Sequence, residues 1–157
     1  MDAGLIERAL EIAGERDPDL THKVYARLFA AHPEMEALFV RDTNGSVRGE
    51  MLARVYEMIL DFIDRRAFAA QMIQCEVITH DGYGVPPDVF VLFFGVVADT
   101  LREAVGEAWT APMDAAWRDL VADMTWYATH PTQSLAAPGP AVRGAASWDP
   151  QGLAAPV

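Results

Sequence analysis

The chain has 157 residues, 52% of them hydrophobic and 22% charged, which is enough apolar material for the core of one domain. Twelve Lys and Arg stand against 23 Asp and Glu, a formal charge of −11, and a field of that sign repels phosphate backbones and anionic bilayers. A single cysteine, Cys75, excludes an intrachain disulfide and a Cys-rich metal site.

The N-terminus is polar and helix-like rather than signal-peptide-like, and no apolar run reaches the roughly 18 residues of a membrane span. The expectation is a soluble, acidic, cytoplasmic protein with neither nucleic acid nor membrane as partner. Leu5, Ile6, Ala9, Leu10 and Ala13 make a first amphipathic stripe that stops near Asp17-Pro18. A second runs through Leu20, Val24, Leu28 and Phe29 and ends at His32-Pro33, because a residue before proline resists the α region. Pro33 can open a short helix to Phe39, followed by a turn-forming loop from Arg41 to Ser46.

Leu52, Val55, Tyr56, Ile59, Leu60 and Ile63 form the clearest helical stripe. A less regular helix from Ala67 to His80 meets a glycine- and proline-containing break, and Asp88 to Gly106 is apolar nearly all round, the mark of a central buried helix. Thr110 to Thr129 closes the domain with Trp117, Leu120, Val121 and Met124 facing inward. The class is all-α, with a domain over residues 1–130. Residues 131–157 hold five of the ten prolines and seven alanines with only Arg143 and Asp149 charged, so they read as a disordered or loosely docked tail.

No P-loop, dinucleotide-binding glycine pattern, nucleophile elbow or paired-histidine zinc motif is present. Most carboxylates lie on polar helix faces, and Cys75 reads as a small buried hydrophobe, with a redox-responsive thiol as the alternative. His22, His32 and His130 sit where surface or capping histidines sit. His80 differs, since it ends a helix just before a glycine-containing turn that leads into the most hydrophobic helix.

Three stretches carry a resemblance. Val24-Tyr-Ala-Arg-Leu-Phe-Ala-Ala-His-Pro-Glu-Met-Glu-Ala-Leu-Phe39 resembles the second and third helices of bacterial globins. His80-Asp-Gly-Tyr-Gly-Val85 with the Pro-Pro helix start is similar to their proximal-histidine segment, and Val105 to Trp117 to their last interhelical turn. The resemblance spans about residues 5–130 in order and points to bacterial single-domain globins, related to the globin domain of flavohaemoglobins. It implies a three-over-three helical sandwich holding haem b (iron protoporphyrin IX), with His80 as the axial iron ligand.

The same resemblance implies that Phe39, Leu52, Val55, Val85, Phe90, Phe94 and Val121 wall the porphyrin. His80 would give Nε2 to iron while Nδ1–H donates to the Glu76 carbonyl or the Thr79 hydroxyl. Tyr25 falls where a phenol points over the iron and can donate to a bound ligand of partial negative charge. For the neighbouring helix, counting back from His80 gives Arg48 and counting forward from Phe39 gives Gly49. Arg48 keeps the stripe in phase, could hold a propionate, and places Leu52 over the haem.

Flavohaemoglobin-type globins use a Tyr and a Glu to make the proximal histidine more anionic, and the corresponding positions here are Phe90 and about Thr132. His80 is therefore expected to be an ordinary neutral imidazole. The leading expectation is reversible binding of O2, CO and NO, by a monomer or homodimer. Nitric oxide dioxygenation with an external reductase, or gas sensing through a separate signalling partner, are the alternatives, since the 27 residues after His130 are too few for either further domain.

Overall fold

The computed structural model describes residues 1–130, and the expectations for the tail, including Thr132, lie outside the described residues. Six α-helices form: α1 (Ala3–Arg16), α2 (Thr21–Ala31), α3 (Ser46–Ile63), α4 (Ala69–Gly82), α5 (Pro87–Val105) and α6 (Ala111–Thr129). Short 3-10 turns lie between α2 and α3 (Pro33–Phe39) and between α5 and α6 (Gly106–Ala108), and no strand occurs among the described residues. The all-α expectation holds. No helix among these residues is long and apolar enough to cross a membrane.

Local chemistry sets the helix ends. Asp2 caps α1 by accepting from Leu5 N–H at 3.3 Å, and Asp19 accepts from Thr21 N–H at 3.0 Å where α2 begins. His32 leaves the helical region immediately before Pro33, which opens the 3-10 turn. Before α4 the Asp61 carboxylate takes three backbone N–H groups, from Ala67, Phe68 and Ala69, at 2.8–3.1 Å. Thr110 caps α6 through Met113 N–H.

The helices make two layers. α1, α5 and α6 pack on one another, while α2 contacts α3 and α3 contacts α4. The layers meet through α2 and α4 against α5 and through α4 against α6. α5 thus touches four helices, which explains why its sequence is apolar on most sides. Ile6, Ala9, Val24, Leu52, Val97, Leu101, Trp117 and Leu120 are all at most 2% exposed in this one core.

Two details of α3 and α4 depart from the sequence reading. The inward arc of α3 is Leu52, Val55, Met58, Ile59 and Phe62, while Leu60 is 47% exposed. Leu60 drops out because a helix advances 100° per residue and the buried arc lies on the side of Phe62. Cys75 is exposed rather than buried, on the outer face of α4. Its neighbours Ile73, Gln74 and Val77 take the inward positions instead.

Candidate functional site

Between α2, α3, α4 and the start of α5 lies a cavity of about 840 Å³, within the roughly 300–1,000 Å³ range of small-molecule and cofactor sites. Two aromatic groups line it. Tyr25, from α2, packs against Phe39 at 5.3 Å, Phe93 at 5.5 Å and Phe29 at 5.8 Å between ring centroids. His80, from α4, packs against Phe90 at 5.0 Å, and Phe90 meets Phe94 edge-on at 5.6 Å. Val55, Val85, Met35, Met51, Met58 and Met72 complete much of the apolar wall.

His80 is held by its own helix. Its Nδ1 lies 2.8 Å from the Glu76 carbonyl oxygen, one turn earlier, so the helical spacing fixes both ring tautomer and direction. The Glu76 carboxylate stands beside the same nitrogen at 3.3 Å. Nε2 is left without a protein partner among the described residues and is the nitrogen available to a metal. The Thr79 hydroxyl is not a partner, because it donates to the Cys75 carbonyl at 3.0 Å. This carboxylate belongs to the same helix as His80, and the sequence reading did not anticipate it.

Tyr25 and Asp42 are the buried polar residues of the lining, at 3% and 6% exposure. The Tyr25 hydroxyl forms no hydrogen bond with the described residues, although it borders the cavity. Burial pushes its phenol well above the ordinary tyrosine value, with Arg48 pulling it back and Asp42 pushing it further up. It stays a neutral donor with its O–H unspent. Asp42, in contrast, is saturated: Val47 N–H, Arg48 N–H and Arg48 Nε all donate to its carboxylate at 2.9–3.1 Å.

Residues 22–125 match the family model described as Globin. The chain belongs to the globin family. Over 116 residues this globin is also 23% identical to a flavohemoprotein of Vibrio cholerae serotype O1, covering 72% of the chain and 29% of that protein. It therefore spans under a third of that curated relative's length. No solved structure matches. The helix order and two-layer packing are those of a globin fold, and membership implies a haem-binding, gas-binding protein.

Most expected site residues converge in this globin. His80, Tyr25, Phe39, Val55, Val85, Phe90 and Phe94 all line the one cavity. Leu52, Arg48, Gly49 and Val121 are not part of that lining. Leu52 is 1% exposed and belongs to the helix–helix core. Arg48 turns to Asp42, a Cβ on Gly49 would approach the Thr21 hydroxyl of α2 at 4.0 Å, and Val121 packs against the core.

The physical reason is rotation about α3. Its cavity-facing positions are Val47, Glu50, Met51, Arg54, Val55 and Met58, whereas the hydrophobic stripe read from sequence centres on the neighbouring arc. The sequence reading also missed Met51, Met58, Met72 and Phe93. A row at 47, 51, 55 and 58 was the available signal, masked by the stronger stripe that packs against protein. The residues fit a flat, largely apolar macrocycle with an anchored imidazole and a free phenol. No group of three or more His, Cys, Asp or Glu among the described residues offers a metal site of another kind.

Proposed function

We propose that this globin holds haem b in the 840 Å³ cavity and reversibly binds O2, CO and NO there. The observation that carries the reading is the pairing, in one apolar cavity, of an Nδ1-anchored His80 with a buried Tyr25 whose hydroxyl has no protein partner. His80 Nε2 is assigned as the axial ligand of the iron, and Phe39, Val55, Val85, Phe90 and Phe94 as walls of the macrocycle. The haem supplies the iron that takes up a diatomic gas.

The protein's own contribution is binding, orientation and a single directed donor. The Glu76 carbonyl keeps the His80 ring in one tautomer. The aromatic cluster around Tyr25 excludes water and fixes the ring, so a ligand with partial negative charge meets a preorganised O–H in a low-dielectric pocket. A second reading, nitric oxide dioxygenation with electrons from a separate reductase, is favoured by the Glu76 carboxylate 3.3 Å from Nδ1, which enriches the imidazole in electron density.

Absorption spectroscopy of the haem-supplied protein tests the first reading. A Soret band that shifts on reduction and again on CO addition is expected, and it should change in His80→Ala. Absence of haem uptake overturns the function, and an unchanged spectrum in His80→Ala removes the ligand assignment.

A further inference from the structure

Arg48 is bound to Asp42 through both side chain and backbone. Its Nε donates to the Asp42 carboxylate at 2.9 Å and its Nη2 to the Asp42 carbonyl at 3.1 Å, while its own backbone N–H caps onto the same carboxylate at 3.1 Å. Asp42 is buried in the cavity wall, with its side chain only 2% exposed. The guanidinium therefore sits behind the lining rather than in it. Asp42 and Tyr25 line the same cavity, and the two charges of the pair act on the Tyr25 phenol with opposite sign.

From this geometry we infer that Asp42 is a specificity-determining residue of the gas site: it latches Arg48 outside the cavity and cancels its charge, so that the pocket favours neutral diatomic ligands over anions. The inference rests on the haem reading above. Its physical basis is that a charge beside a buried site is offset only by a partner held in fixed geometry. With the pair intact, its two charges offset one another at a ligand beside Tyr25, while the other charged groups of the lining, Arg41, Glu50, Arg54 and Glu76, stay the same in every variant compared. Without the carboxylate, the guanidinium is unbalanced and its long side chain is free to enter the cavity. Without the guanidinium, a buried carboxylate faces the ligand alone.

The opposite signs of these two cases give the test. Azide, a small anion, is titrated against the oxidised haem-loaded protein and its Asp42→Asn, Arg48→Met and double variants. Asp42→Asn should tighten azide by about tenfold or more, the scale of one charge-assisted contact. Arg48→Met, which leaves the carboxylate cap of α3 in place, should weaken azide severalfold, and the double variant should return towards the parent value.

Equal azide affinity in Arg48→Met and the parent overturns the proposal, as does tightening in Asp42→Asn that survives removal of Arg48. A second reading is independent of haem. By NMR, the Arg48 Nε–H should exchange slowly with solvent in the parent chain and fast in Asp42→Asn, and equal rates would sink the latch. A chain that takes up no haem overturns the gas-binding function while the Nε–H measurement still decides whether the latch exists.

Discussion

His80 Nδ1 hydrogen-bonds to the Glu76 carbonyl at 2.8 Å, and the carboxylate of the same residue stands 3.3 Å from that nitrogen. The carbonyl bond orients the ring, and the carboxylate adds negative charge to the side of the imidazole away from Nε2. Glu76→Gln keeps the first and removes the second. Because the Glu76 side chain is 41% exposed, the lost interaction is taken at about 1 kcal/mol, the upper end for an exposed ion pair. That corresponds to a rise of roughly 40 mV in the one-electron potential of the haem-loaded protein. The iron–histidine stretch should fall in the same variant. An unmoved potential and stretch would assign the carboxylate to solvent alone.

Tyr25→Phe removes the unpartnered hydroxyl while leaving the ring that packs on Phe29, Phe39 and Phe93. A hydrogen bond to a ligand with partial negative charge is worth roughly 1.5–3 kcal/mol, so O2 dissociation should accelerate about tenfold or more. CO, which carries less charge, should respond much less. Stopped-flow ligand replacement measures both, and equal acceleration of the two gases would point to a steric cause instead.

How far the sequence carries depends on which force each position reports. His80, Tyr25 and the Phe90–Phe94 pair came from the resemblance to bacterial globins, which matches segments in order and needs no knowledge of helix rotation; the helix end and the turn after it singled out His80 alone. The face of α3 was not legible. Leu52 and Ile59 are buried against protein, so periodicity finds the core and misses the cavity wall one residue away. The pairing of Arg48 was hidden for a related reason. Its partner Asp42 lies six residues earlier in a loop, and only the folded turn at Gly45, with φ +76°, brings them together.

The rotation of α3 can be tested by two substitutions at adjacent positions. Leu52→Ala empties fully buried space and should cost about 2–5 kcal/mol in unfolding free energy, with little change in ligand kinetics. Met51→Gln, in the cavity wall, should cost far less stability. Its amide gives a bound gas a second donor, so O2 dissociation should slow. Denaturant melts and O2 off-rates separate the two, and the reverse pattern would restore Leu52 to the haem face.

Acid sensitivity should concentrate at the start of α3. Burial pushes the Asp42 carboxyl up, but the Val47 N–H, the Arg48 guanidinium and the Arg48 N–H outweigh it and hold the group below its ordinary value. A carboxyl depressed in the folded state stabilises the fold fully above the unfolded value of about 3.9 and loses that contribution as pH falls through the native one. Protection of the Val47 and Arg48 amides, taken relative to the intrinsic exchange rate at each pH, should therefore fall as the solution is taken from pH 5 down through that depressed pKa. Asp42→Asn cannot titrate, so it should show faster exchange already at pH 5 and no further acid step at these two amides. An acid step of equal size in the variant would assign the transition to other carboxylates, such as Asp61 where it caps α4.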